Sequence, residues 1–333
     1  MVVDMHLYPV RFSSHQWGFI DHTGVVKIPG KFRYASDFRE GIAIVKTQKR
    51  STGGIDINGQ LLFDVRNVET NSSFSDGLLE CTNVDGRSGF LDIDGNLAIT
   101  FSFDEALDFS QRVAPAQVDG HWGAIDRTGH WQIQPSFEQI MKWGDGQYSA
   151  AQLKDFSWVI IDKRGVRQTN KTFGQVYPQL NGYIVVRHQS QKWALLDSKL
   201  RPCWEKDLSN IDDGVIEGTL AAAKNDLWGV LGVNGNWTLP PQFTNVTSIV
   251  EGFRRFYVGG SRDDNYALAG GKYGYLDETN QIAIPAIYAD AREFKHGLAK
   301  VSFYCDDDPN GLDWYAHWGY IDRFGKLVWS NRK

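Results

Sequence analysis

Trp122-Gly123-Ala124-Ile125-Asp126, with Gly129 three residues after the aspartate, is the phrase that decides the fold. It returns as Trp17-Gly18-Phe19-Ile20-Asp21 and as Trp318-Gly319-Tyr320-Ile321-Asp322. Weaker copies end at Asp56, Asp92, Asp162, Asp197, Gly232 and Asp277, so nine copies recur at spacings of 35, 36, 34, 36, 35, 35, 45 and 45 residues. A period of that size marks a unit that cannot bury its own apolar face and packs it against the next unit. Length alone would divide 333 residues into about two domains. The unbroken repeat predicts one repeat domain over 1–333 instead, with eight full repeats and a partial terminal one.

Within a repeat, Trp17 to Ile20 is a short apolar run with polar flanks, the pattern of a strand. Asp21-His22-Thr23-Gly24 then reads as a turn, with the aspartate accepting from backbone amides and the glycine supplying a positive φ. In the eighth repeat Asn280 takes the glycine's place, the next most tolerant residue for that geometry. Val25 to Ile28 is the returning strand, which Pro29 stops or confines to an edge. An aromatic follows eleven residues after the turn position: Phe32, Phe103, Phe137, Phe173, Phe243 and Tyr288. Phe38-Arg39-Glu40-Gly41 leads into a further strand, Ile42-Ala43-Ile44-Val45, which turns back into the next Trp-Gly phrase. Each repeat is thus a meander of three strands, with room for a fourth and little for helix.

The combination W-G-[FY]-I-D-x-x-G, then I-P-x-x-[FY], then F-x-E-G-[LI]-A-x-V resembles the WG-repeat proteins of bacteria, also called KWG repeats. The resemblance runs from about Trp17 to Trp329, and it is weakest where Trp158-Val159 and Trp193-Ala194 lose the glycine and Gly232 replaces the aspartate. It implies an all-β architecture of about nine tandem repeats but carries no catalytic residues, because the family has no single activity. Such meanders can be the blades of a β-propeller or the coils of a capped β-solenoid. The propeller-like ring is favoured, since a strand at Val2 to Met5 could complete the terminal unit and close the ring.

Composition excludes several functions. A net charge of -5 with no Lys/Arg cluster argues against phosphate-neutralising nucleic-acid binding. Cys81, Cys203 and Cys305 are odd in number and widely spaced, which fits a reducing compartment better than a disulfide framework. No basic-then-apolar leader opens the chain and no stretch of about 18 apolar residues occurs, so a cytoplasmic location and no membrane insertion are expected. Asp92-Ile93-Asp94-Gly95-Asn96 resembles a calcium loop only faintly, with Phe103 where a bidentate glutamate belongs. His121 and His317 precede Trp-Gly phrases and read as hairpin residues before they read as ligands. No zinc spacing, nucleophile elbow or phosphate loop is present. No catalytic residues, metal or cofactor are expected.

The irregularities are more informative than the constant positions. From the glycine that opens the third strand to the next Trp position most repeats use 10 to 12 residues, but Gly252 to Tyr273 and Gly297 to Trp318 each span 21. The two long loops, 259–271 and 302–316, therefore fall at the same place in consecutive repeats and must lie side by side. The first carries Arg262, Asp263, Asp264, Asn265 and Tyr266. The second carries Asp306, Asp307, Asp308, Asn310, Asp313, Trp314 and Tyr315. Acids, amides and aromatics together suit a protein partner with a basic surface, a glycan, or a hard cation. The expected function is a non-catalytic scaffold that binds another protein through these loops, as an immunity or inhibitor protein would. A carbohydrate-binding module, with or without calcium, is the alternative, and a hydrolase with an axial site is a third.

Overall fold

The computed structural model describes residues 6–13, 16–212, 214–262, 268–303 and 317–331. Regular structure among them is all β and forms nine antiparallel sheets of three or four strands, each a meander with its strands in chain order, and one small two-stranded hairpin. We number these sheets as blades: 8–32, 34–65, 68–103, 105–137, 139–162, 175–206, 210–243, 245–288 and 290–330. A solenoid would share hydrogen-bonded ladders between successive repeats. Among the described residues no ladder passes from one sheet to the next, and the fold is of the β-propeller class. The chain divides into two compact units, Met1–Gly182 with Val186–Gln189 and Tyr183–Val185 with Ser190–Lys333. Blades 1 to 5 lie in the first unit and blades 7 to 9 in the second, and the division runs inside blade 6. The strand expected at Val2 to Met5 lies outside the described residues. Blade 9 has four strands of its own, ending in Leu327–Ser330, whereas blades 1 and 5 have three.

Blade 4 illustrates the unit: Glu105–Ala106, Val113–Val118, His121–Asp126 and Trp131–Phe137. The optional fourth strand is therefore real and short, and it precedes the other three. The turn aspartates do what their spacing predicts. Asp126 Oδ1 accepts from the amides of Thr128 (2.8 Å) and His130 (3.1 Å), and Asp92 Oδ1 accepts from Asp94 (3.0 Å) and Asn96 (2.8 Å). The faint calcium loop is thus a capped turn. In the seventh repeat, where Gly232 replaces the aspartate, Asn234 Oδ1 accepts from the Asn236 amide instead.

The returning strand takes the edge position, one of the two readings of Pro29. It does not stop at Pro29 but runs from Val26 to Phe32, as the edge strand of its sheet, with the proline inside a bulge. In blade 4 Trp122 pairs with Phe137 and Ala124 with Ile133, so two steps on one strand face four on the other. The bulge presses a carbonyl onto the glycine of the Trp-Gly pair. A Cβ on Gly18, Gly123 or Gly229 would stand 2.2, 2.3 and 2.3 Å from the oxygens of Ile28, Ile133 and Leu239. In these blades glycine and bulge occur together, whereas Gly53 and Gly319 stand on regular registers, facing Asp64 and Ser330. Blade 6, which has Ala194 there, is regular over this stretch, Trp193 with Lys206, Ala194 with Glu205 and Leu195 with Trp204, and shifts register only after Leu195.

The core lies between consecutive blades, as a repeat that cannot bury its own face requires. Phe90, Ile99 and Phe103 of blade 3 pack with Phe109, Ala114 and Ile125, and Tyr275, Ile284 and Tyr288 of blade 8 with Ala291, Phe294 and Ile321. Each turn glycine rests on the blade before it. A Cβ at Gly95 would meet Phe63 at 2.5 Å, and one at Gly129 would meet Ile99 at 2.9 Å.

A second set of inter-blade contacts involves charge. Ahead of the strand that precedes the Trp strand, most blades place two successive residues at positive φ, for example Glu40 and Gly41 (50° and 80°), Asp76 and Gly77 (53° and 73°), and Glu251 and Gly252 (51° and 81°). Such pairs point adjacent amides outward as an anion-binding nest. The acid of one blade enters the nest of the next. Glu40 accepts from Asp76 N and Gly77 N at 2.9 Å each, and Asp76 from Arg112 N at 2.7 Å. Asp145 accepts from Asn181 N at 2.9 Å, and Glu251 from His296 N and Gly297 N at 2.5 and 2.9 Å. Basic residues after the turn aspartate answer from the other side: Lys163 Nζ donates to Gln111 O (3.1 Å) and Arg323 Nη2 to Glu251 O (2.9 Å).

Candidate functional site

The hairpin that leads into the Trp strand is where the repeats differ most in length. In blade 4 it is two residues, Asp119 and Gly120, between paired Val118 and His121. In blade 7 it is Asn225 and Asp226, between Lys224 and Leu227. In blade 8 the pair is Val258 with Lys272, and in blade 9 it is Ser302 with Trp318. Both insertions therefore prolong the same hairpin. Blades 8 and 9 are direct neighbours, with the Phe253 and Phe294 rings 4.4 Å apart and Arg255 Nη1 donating to Ala291 O at 2.6 Å. This places the two insertion roots next to each other.

The roots are built from aromatic side chains. Tyr257 is buried, stacks at 4.7 Å on Tyr273, and accepts at its hydroxyl from Gly271 N at 2.6 Å. Thr244 Oγ1 donates to Gly260 O at 3.2 Å. At the second root Phe303 N donates to His317 O at 2.9 Å, the Phe303 ring lies 5.8 Å from Tyr288, and Lys300 Nζ sits 3.9 Å over the Trp318 ring. Burial, reinforced by Asp290, pushes the Tyr273 hydroxyl above its ordinary value, so the root carries no phenolate at neutral pH.

Arg262 lies in a two-residue strand, Ser261–Arg262, whose partner is Leu268–Ala269, so the backbone hairpin continues outward there. Asp263, Asp264, Asn265, Tyr266, Asp306, Asp307, Asp308, Asn310, Asp313, Trp314 and Tyr315 lie outside the described residues. Their charge can still be weighed. Segments 259–271 and 303–317 hold six aspartates and one arginine, a formal charge of -5. The whole chain has 40 acidic and 35 basic residues, so the rest balances at 34 of each, and all the excess negative charge belongs to the insertions. Among the described residues no group of His, Cys, Asp and Glu side chains could hold a metal ion. The inter-blade clasps of Glu40, Asp76, Asp145 and Glu251 are the functional-looking residues that spacing alone does not explain. Their signal is the acid placed before the glycine in F-x-E-G.

A family model described as WG containing repeat matches residues 17–49, 89–121, 122–155, 228–260 and 273–303. These five stretches begin in blades 1, 3, 4, 7 and 8, the blades whose returning strand carries the bulge opposite the Trp position. No curated protein matches the chain. Among solved structures, one titled as the eukaryotic initiation factor aligns with 98% of this chain and 96% of its own, at 12% identity and a TM-score of 0.68. BamB from Moraxella catarrhalis aligns with 78% of this chain and 94% of its own, at 15% identity and a TM-score of 0.41. The first likeness extends to the fold alone. With the signature glycine and its bulge seen together in each matched stretch, the chain belongs to the WG-repeat family.

Proposed function

We propose that this protein is a non-catalytic recognition scaffold that holds another protein through the two insertions of blades 8 and 9. The observation that carries the reading is the concentration of irregular length and net charge at one hairpin position in two neighbouring blades, on a rigid aromatic root. An edge of that sign steers a basic partner toward it, and steered association slows as salt screens the field. An inhibitor or immunity protein that covers a basic active site is the role this surface fits. The test is capture of binding partners by the full chain and by a variant lacking 261–269 and 304–313. A discrete partner retained by the full chain, lost by the variant at unchanged thermal stability, and weakened as salt rises supports the reading. Equal capture by both forms removes the insertions from the site. Salt-independent binding to a glycan array would transfer the same edge to carbohydrate recognition.

A further inference from the structure

The clasp between consecutive blades is missing at one junction of the second unit, and something else stands there. By position Glu217 is the acid that would enter the nest of Glu251 and Gly252, with φ values of 51° and 81°. Among the described residues its carboxylate makes no hydrogen bond to those amides. Glu251 cannot fold back to serve its own nest, because its carboxylate is held by His296 N and Gly297 N in blade 9.

Arg254 follows Gly252 by two residues. It replaces the small or apolar residue that other blades carry at this position, such as Leu79 or Ala114, and it is only 3% exposed. Its Nη2 donates to Thr219 Oγ1 at 2.6 Å, two residues beyond Glu217, which brings the guanidinium to the same junction. Among the described residues its Nε and Nη1 are buried without a partner. A buried guanidinium with two unmet donors is costly to leave bare. On the other side of the turn Arg323 Nη2 caps Glu251 O, and a Cβ at Gly252 would stand 3.4 Å from that nitrogen. Burial pulls the Arg254 pKa down to about 10, offset in part by Glu217, so the side chain stays cationic at neutral pH.

We propose that the turn of Glu251 and Gly252, backed by Arg254 and flanked by Arg323, binds a small oxyanion, phosphate or carboxylate, in the place that a neighbouring blade's carboxylate fills elsewhere. Outward-pointing amides and a forked guanidinium are the donor set that oxyanions select. The site lies at the opposite end of strand Phe253–Val258 from the long insertion, so it is independent of the recognition edge.

The test uses the full chain with inorganic phosphate, with malonate as a second probe and chloride at matched ionic strength as control. Thermal unfolding and broadening of the phosphate phosphorus resonance are the readouts. R254L installs the residue found at Leu79, R254M keeps more of the side chain's length should R254L fold poorly, and E217Q removes the competing carboxylate. Phosphate is expected to raise the wild-type midpoint saturably, by roughly 3–6 °C at ten times the dissociation constant. E217Q should bind at least as well, and R254L and R254M should lose the response. An equal effect of malonate identifies a carboxylate ligand, and an effect of phosphate alone identifies phosphate. Phosphate acting no better than chloride on wild type, or the Arg254 variants responding like wild type, overturns the proposal. So does a destabilised E217Q that ignores both anions, since Glu217 itself would then be the occupant.

Discussion

Glu80 offers a quantitative test of how blades 3 and 4 pack. It sits in strand Leu79–Asn83, and its Oε1 accepts from Ser88 Oγ at 2.9 Å. Burial pushes its carboxyl up to about 7, and although Ser88 and Ser72 oppose this by hydrogen bonding, Asp108 and Glu105 add to it. For an acid raised from its ordinary value of 4.5, folding favours the protonated form. The associated stability is therefore complete below pH 4.5 and is lost as pH rises through 7. A shift of that size corresponds to about 3 kcal/mol, and residual solvent exposure brings the expectation to about 2 kcal/mol. E80Q stays neutral and its amide oxygen can still accept from Ser88. It should match wild type near pH 4.5 and exceed it at pH 8 by about 2 kcal/mol, a rise of roughly 4–8 °C in the midpoint of a unit this size. Thermal unfolding by tryptophan fluorescence at several pH values, with hydrogen exchange of Leu79–Asn83 as the local readout, measures the difference. A variant advantage that is absent at pH 8, or that persists unchanged at pH 4.5, would refute the argument.

Other outcomes are open to measurement. G123A drives a Cβ to 2.3 Å from Ile133 O and should cost about 1–3 kcal/mol in urea denaturation. A194G, on a regular register, should cost no more than about 1 kcal/mol. E40A removes the acceptor of two amides of blade 3 and should lower stability by about 1–2 kcal/mol, with faster exchange at Asp76 and Gly77. The turn aspartates should drive acid unfolding. Asp126, with its pKa lowered by the Thr128 hydroxyl, and Asp277, lowered by the Thr279 hydroxyl, contribute stability above the ordinary carboxylate range that is lost as pH falls below it. D126N and D277N together should shallow the acid limb of the unfolding curve, and an unchanged limb would remove the turns from that transition.

Much of this architecture was legible in the residues, because backbone requirements repeat in phase. The Asp-to-Gly offset names a turn, Trp17 and Phe32 announce an aromatic pair across two strands, and the insertions stand out as excess length. What lay beyond reach has physical reasons. The first strand of most blades is as short as two residues, Glu105–Ala106 or Asn245–Val246, too brief to show a period. Pro29 announces a strand end or an edge strand but not the bulge, because proline's missing donor looks the same whether the chain leaves the sheet, runs along its edge or swells within it. The clasps join residues 36 to 46 positions apart through side chain and amide, and although the acid before the glycine is visible, no local pattern names the amides it reaches. Arg254 went unnoticed because a charge in a strand reads as a surface residue until its neighbours are placed.

The close approach of a strand carbonyl to the signature glycine also bears on how such an array can change over generations. In blades 1, 4 and 7 that carbonyl stands 2.2 to 2.3 Å from where a Cβ would be, and in blade 9, whose ladder is even there, Trp329 O stands as near to Gly319. A copy cannot exchange this glycine for a larger residue until the facing strand has moved away. Blade 6 has made the exchange, with Ala194 facing Glu205. Duplicated blades should therefore accept a shift of the facing strand before they accept a side chain at the glycine.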